Sequence, residues 1–321
     1  MLKYILGIET SCDETAASVV TPTNKVISNI IFSQQKLHSP YFGVVPELAS
    51  RTHYEKIDVV LEKAMKGINA KDISLISYTK EPGLKGALAI GEVAAKALGY
   101  IYKIPTIGVD HLWGHISSVF ISHNKIKFPF ISLVISGGHT QLSLVYSTTD
   151  RKILGNTRDD AVGEAFDKVA KILNLTYPGG PAIEKLAKKG NKNAVFFKRP
   201  YIRESWDFSF SGIKTAVLYY VNSLRQKKIK ISKQLVCDIC ASFQEAICDT
   251  IATKLFAASE KFNCKRVAVS GGVSANSYLR QYLIDMLGRR NVKLFFPAKL
   301  FTTDNAAMIA VAGKNFYLYR S

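Results

Sequence analysis

The chain has 321 residues, 47% of them apolar, which is enough for two packed lobes and excludes a disordered polymer. Its formal charge of +18, from 43 basic against 25 acidic residues, suits a polyanionic partner, nucleic acid first, although Lys outnumbers Arg and part of the excess can serve solubility. Glu92 and Lys96 interrupt the apolar stretch 86–101, and the first apolar run stops at Glu9 and Ser11, so neither a membrane span nor a signal-peptide core is present and a soluble, cytoplasmic α/β protein with no membrane partner is expected.

Residues 3–9 and 15–20 read as strands around a Thr10-Ser11-Cys12-Asp13 turn, followed by a third strand near 26–32. A helix is expected from Pro46, a good first-turn residue, to about Met65, then a strand at 73–79 and a helix from Gly86 to Tyr100. The short apolar strand 105–109 completes the lobe and runs into Asp110, a candidate helix N-cap.

The second half repeats this order. Strands at 130–136 and 140–146 enclose a Gly137-Gly138 turn, a short strand lies near 152–154, and helices follow, including 213–224 and 234–256. An internal duplication is therefore expected, with a first lobe at 1–112, a second at 113–299 and a terminal helix, 300–321, returning to the first. The turn Ile135-Ser136-Gly137-Gly138 is echoed by Val269-Ser270-Gly271-Gly272, and Glu9-Thr10-Ser11 occupies the matching turn of the first lobe. One such turn is ordinary; their repetition points to a nucleotide held between lobes, because paired glycines let backbone N–H groups approach a phosphate.

Cys12, Cys237, Cys240, Cys248 and Cys264 are an odd, scattered set that argues for reduced thiols. Cys237 and Cys240 lie inside a helical pattern with no second pair and read as packing residues. Between Lys185 and Lys233 there are thirteen Lys or Arg against two acidic residues, Glu204 and Asp207. Phe196, Phe197, Tyr201, Trp206, Phe208 and Phe210 interleave with these charges; some could stack on bases, and at least half are expected in the core.

The sharpest chemical signal is His111-Leu112-Trp113-Gly114-His115. Imidazoles four apart on a helix share a face and can grip one ion, here at a strand's carboxyl end, where ligands gather in α/β sheets. Two exposed or core-satisfied imidazoles are the alternative. Asp304, at the opening of the last helix, is the favoured third ligand, although alone it would read as a helix cap. Two His and one Asp leave coordination positions open and suit Fe(II) or Zn.

Beyond these features the sequence closely resembles the TsaD family, the tRNA threonylcarbamoyladenosine transferases formerly called O-sialoglycoprotein endopeptidases. The motifs run from Gly7-Ile8-Glu9-Thr10-Ser11-Cys12-Asp13-Glu14-Thr15 and Gly43-Val44-Val45-Pro46-Glu47-Leu48-Ala49-Ser50-Arg51 through the His pair to Ser136-Gly137-Gly138-His139-Thr140-Gln141-Leu142. They continue with Gly163-Glu164-Ala165-Phe166-Asp167-Lys168, Tyr177-Pro178-Gly179-Gly180-Pro181, Phe208-Ser209-Phe210-Ser211-Gly212, Gly271-Gly272-Val273-Ser274-Ala275-Asn276 and Thr303-Asp304-Asn305-Ala306.

The resemblance implies an actin-like ATPase (ASKHA) α/β fold of two duplicated RNase H-like lobes with an interlobe nucleotide cleft. It implies one divalent metal ion per subunit on His111, His115 and Asp304, Fe(II) ahead of Zn, and substrate binding by Val134, Ile135, Ser136, Gly137, Gly138, Asp167, Gly180 and Asn276. Glu184 sits where some members place a further carboxylate. The implied reaction moves a threonylcarbamoyl group from threonylcarbamoyl-AMP to N6 of the adenosine beside the anticodon in tRNAs reading ANN codons. A smaller paralogous subunit and a P-loop ATPase subunit are the implied protein partners, since no Walker-type loop occurs in the sequence. No side chain declares itself as general base. Glu81 and Asp110 depart from the family pattern at the cleft rim and beside the metal.

Three alternatives compete, one of them a sugar kinase or ATPase of the same fold, which would explain the cleft and phosphate loops but not the metal pair or the basic aromatic segment. A metalloprotease would need a Glu after the first His to activate water, and Leu112 stands there. A non-catalytic nucleotide-binding scaffold that docks RNA would have no need of an intact His-His-Asp set.

Overall fold

The computed structural model describes residues 2–123, 125–200, 202 and 204–320. The chain divides into two compact units: one contains the residues up to Phe128, Tyr146–Asp150 and those from Phe296 onward, and the other contains Pro129–Val145 and Arg151–Phe295.

In the first unit, β1 (Tyr4–Glu9), β2 (Glu14–Val20) and β3 (Val26–Ser33) form an antiparallel meander. A short α1 (Gln35–His38) and the long α2 (Pro46–Ala64) lead to β4 (Ile73–Glu81), α3 (Lys85–Tyr102), β5 (Thr106–Asp110) and α4 (His111–Ser122). Because β4 and β5 add in parallel to β1, the sheet order is β3-β2-β1-β4-β5. Strand β1 is buried along almost its whole length, as a strand covered on both faces must be. Leu6, Ile8, Val19 and Ile76 pack with Ile57 and Leu61 of α2 and Leu98 of α3.

The second unit contains β6 (Phe130–Ile135), β7 (Thr140–Val145), β8 (Arg151–Asn156), α5 (Val162–Ile172), α6 (Gly179–Ala187), α7 (Ser211–Gln226), α8 (Lys233–Lys261), β9 (Arg266–Ser270), α9 (Ser277–Gly288) and β10 (Lys293–Phe295). Its sheet order, β10-β9-β6-β7-β8, repeats the first strand for strand: an antiparallel meander, then two parallel additions on the side of the first strand. The duplication read from the sequence is thus a duplication of topology. Cys237 and Cys240 are buried in α8, as packing residues are.

After β10 the chain forms α10 (Ala306–Arg320), which belongs to the first unit and packs against α4, β1, β2 and β4. Its residues from Ala306 to Ala312 have no exposed surface. The first unit also takes in all of α4, so the sequence division at 112/113 falls inside that helix. Among the described residues no helix is long and apolar enough to cross a membrane.

The contact of α10 with β1 depends on Gly7. A Cβ there would meet the Ala306 carbonyl oxygen at 2.1 Å and the Ala310 backbone N at 2.9 Å. Gly7→Ala should therefore destabilise the protein by about 1 to 3 kcal/mol through overpacking. Gly43→Ala, where a Cβ meets nothing within 4 Å, should leave the denaturation midpoint unchanged, and chemical denaturation of both variants checks the difference.

Candidate metal centre and ligand pocket

Strand β5 ends at Asp110, whose carboxylate accepts a hydrogen bond from the Trp113 backbone N–H at 2.8 Å and starts α4. With the helix started there, His111 and His115 stand one turn apart on one face, both buried, with ring centroids 4.7 Å apart. At the other end of the chain, Asn305 takes the capping role: its side-chain oxygen accepts from the Met308 N–H at 3.1 Å. Asp304 is thereby left outside α10. Its Oδ1 lies 3.1 Å from His115 Nε2 and 3.5 Å from His111 Nε2.

These residues offer donor atoms that all lie within 4.8 Å of one another. Metal–nitrogen and metal–oxygen bonds of about 2.0 to 2.2 Å place neighbouring donors about 3 Å apart, so the spacing fits one ion. The buried nitrogens of His115 give a second test. Neither has a hydrogen-bond partner among the described residues, and Nε2 approaches Asp304 without hydrogen-bond alignment. Leaving a buried polar atom unpaired costs about 1 to 3 kcal/mol, a penalty that coordination at Nε2 would reduce.

His111 is oriented from behind. Its Nδ1 faces Glu9 Oε2 at 3.1 Å and Ser11 Oγ at 3.2 Å. Glu9, fully buried at the end of β1, also accepts from the Thr79 hydroxyl at 2.6 Å and the Ser11 backbone N–H at 2.5 Å. Burial opposes charge on His111, but the carboxylates of Asp304 and Glu9 outweigh it and push the imidazole up to about 9. Burial likewise opposes charge on Glu9, yet the facing His111 and the Thr79 hydroxyl hold its carboxyl below the usual range. With a proton on Nδ1 facing Glu9, a neutral His111 would present Nε2 to an ion, the carboxylate–imidazole pairing that supports metal-bound histidines.

The second unit contains a pocket of about 190 Å³ whose lining includes Gly137, Asp167, Gly180, Glu184 and Asn276. Five of the expected substrate-binding residues thus come together. Val134 and Ile135 are instead buried inside β6, paired with Gln141 and Thr140 of β7, so a ligand could reach only their backbone; with Ser136 and Gly138 they are absent from the pocket lining. Phe166, Pro178 and Pro181 complete apolar walls that sequence patterning does not signal.

The polar groups are held by the protein itself. Asp167 accepts from the Gly179 N–H at 2.6 Å, and Glu184 from the Ser277 N–H at 3.0 Å. Asn276, expected to pair with a ligand, caps α9 by accepting from the Leu279 N–H at 2.9 Å, and its amide donates to Gln244 Oε1 at 2.9 Å. Buried Gln244, on α8, is a supporting residue missed in sequence because nothing near it signals a site. Glycine at 137 and 180 is required neither by backbone angle nor by packing: their φ values are not left-handed, and a Cβ at either would meet nothing within 4 Å. At Gly180 the absent side chain leaves room for a ligand.

A model of the TsaD family, described as tRNA N6-adenosine threonylcarbamoyltransferase, matches residues 25–311. A protein of that name from Endomicrobium trichonymphae is 52% identical over 314 residues, covering 96% of this chain and 91% of the relative. The chain belongs to the TsaD family. Another TsaD relative, from Clostridium beijerinckii, is 50% identical over 313 residues, covering 97% of this chain and 91% of its own.

Among solved structures, full-length HypF in its phosphate- and nucleotide-bound form superposes with a TM-score of 0.64 at 14% identity, over 98% of this chain and 55% of that one. Component A of (R)-2-hydroxyglutaryl-CoA dehydratase from Acidaminococcus fermentans gives 0.54 at 17% identity, over 98% and 99%. These likenesses show the fold of this TsaD chain: the actin-like ATPase fold implied by the resemblance.

Replacing Glu9 by Gln keeps its size and removes its charge. Glu9→Gln should weaken binding of a divalent cation roughly 10- to 100-fold with the circular dichroism spectrum unchanged, as measured by chelator competition. In the pocket, Gly180→Val should leave the denaturation midpoint within about 0.5 kcal/mol of wild type, as for a surface substitution, while AMP binding by calorimetry weakens at least tenfold.

Proposed function

We propose that this chain transfers the threonylcarbamoyl group of threonylcarbamoyl-AMP to N6 of the adenosine beside the anticodon in tRNAs that read codons starting with A. The observation that carries this reading is the 52% identity, over 96% of the chain, to a relative named tRNA N6-adenosine threonylcarbamoyltransferase. The formal charge of +18 supports a nucleic-acid substrate.

In the reaction, the N6 lone pair attacks the carbamoyl carbon and a C–N bond forms. The bond from that carbon to the AMP phosphate oxygen breaks, AMP departs with the electron pair, and the proton from N6 passes to a base. The phosphate leaves as a stable anion and needs no proton. The pocket bounded by Asp167, Gly180, Glu184 and Asn276 would hold the adenylate, its carboxylates facing ribose hydroxyls and its apolar walls receiving the base. Fixing the donor in this way reduces the barrier through orientation. A divalent cation held by His111, His115 and Asp304, Fe(II) ahead of Zn for a two-imidazole, one-carboxylate set, would supply Lewis acidity. The donor would come from elsewhere, because no Walker-type loop occurs in the sequence; a smaller paralogous subunit and a P-loop ATPase subunit complete this reading.

The exposed lysines of the segment 185–233 are the proposed contact to tRNA phosphates. Arg199 pairs with Asp249 at 3.0 Å, Lys192 with Glu245 at 3.0 Å and Lys214 with Asp160 at 2.9 Å, so these three serve the fold. Lys189, Lys198, Lys227 and Lys228 are exposed. The enzyme, given threonylcarbamoyl-AMP and unmodified tRNA, should yield modified adenosine detectable by nucleoside mass analysis. Reversing those four lysines to Glu should weaken tRNA binding and flatten its salt dependence by about 1 unit of slope for each phosphate no longer neutralised. AMP affinity should stay at the wild-type value.

A further inference from the structure

We propose that Phe196 is a stacking platform for an unpaired base of the RNA substrate, an inference that rests on the tRNA reading above. The aromatics interleaved with the basic segment have different fates. Phe197, Phe208 and Phe210 are buried, and Trp206 packs against Phe262 with ring centroids 5.5 Å apart. Tyr201 lies outside the described residues. Phe196 is 82% exposed, so its ring contributes little to the core.

The ring is not an isolated apolar group on the surface. The Arg199 guanidinium carbon lies 5.4 Å from its centroid, and Arg199 is itself fixed by Asp249 and by donation to the Phe197 carbonyl oxygen at 2.9 Å. Lys198, between them in sequence, is exposed. An exposed aromatic face braced by an ion-paired guanidinium, with the exposed Lys198 next to it, matches what a nucleotide presents, a flat base and a charged phosphate. This charge complementarity favours RNA over an apolar protein surface.

The platform is anchored at the pocket rim. Lys192 Nζ donates to Glu245 at 3.0 Å and to the Tyr278 hydroxyl at 3.4 Å. Tyr278 stands two residues after pocket-lining Asn276, and the intervening Ser277 N–H bonds to Glu184, also of the lining. One turn along α8, Asp249 accepts from both Arg199 Nε and the Tyr282 hydroxyl, at 3.0 and 3.2 Å. The segment 192–199 is thus tied at both ends to α8 and α9, and the cap residue of α9, Asn276, lines the pocket, so a base stacked on Phe196 would belong to a nucleotide near the acceptor adenosine.

The test uses the full chain, unmodified tRNA, and an anticodon stem-loop carrying 2-aminopurine at each loop position in turn. Phe196→Ala should weaken tRNA binding roughly 5- to 100-fold, the usual effect of losing one stacked base, and abolish the fluorescence quenching seen at one loop position. Phe196→Tyr and Phe196→Trp should retain both, and all three variants should bind AMP as wild type does. Wild-type affinity and quenching in Phe196→Ala would overturn the platform, as would Phe196→Tyr failing as badly as Phe196→Ala. Retained RNA binding with impaired association to a protein subunit would overturn it too, making the ring a protein contact. A wild-type chain that neither binds nor modifies tRNA would overturn the tRNA reading, and the platform with it.

Discussion

The Glu9 carboxylate has no exposed surface, and the first unit is arranged to satisfy it. An unpaired buried charge costs several kcal/mol, so partners must be brought to it from separate elements. Thr79 comes from β4, the Ser11 N–H from the turn after β1, and His111 from the first position of α4. Meeting these partners fixes β1, β4 and α4 against one another and aims His111 Nε2 at Asp304. The position of Asp304 depends on α10 lying flush on β1, which the missing side chain of Gly7 permits. Fold and candidate metal centre in this unit therefore share one polar network.

The pocket of the second unit is built on another plan. Its polar residues are occupied in holding backbone: Asp167 holds the first residue of α6, Glu184 and Asn276 hold the first turn of α9. Each is fixed before a ligand arrives, so less side-chain entropy is lost on binding. Shape comes from prolines, Phe166 and glycine positions whose missing side chains the protein does not use.

Local features of this architecture were legible in sequence, and long-range pairings were not. The His111/His115 pair, the Asp110 cap and the repeat of three strands in both halves announce themselves through spacing of four, a cap residue and repeated turns, whereas the short β10 and the parallel additions to each sheet do not. The link from Glu9 to Thr79 spans 70 residues and that from Asn276 to Gln244 spans 32, distances over which periodicity carries no signal. In sequence the basic segment looks uniformly free, because the acids that neutralise Lys192 and Arg199 lie on α8, beyond the segment's own end. Exposure of Phe196 beside buried Phe197 was equally hidden: in a segment with no regular secondary structure, neither helical nor strand period says which ring turns inward.

The order of the elements shows how the candidate centre draws on both repeats. His111 opens the helix after the last strand of one sheet, and Asp304 precedes the helix after the last strand of the other, so the candidate ligands come from equivalent connections of the two repeats. Their offsets differ: His111 is the first residue of α4, whereas Asp304 stands two residues ahead of α10. A chain cut between the two repeats would therefore leave the imidazoles and the carboxylate on separate pieces.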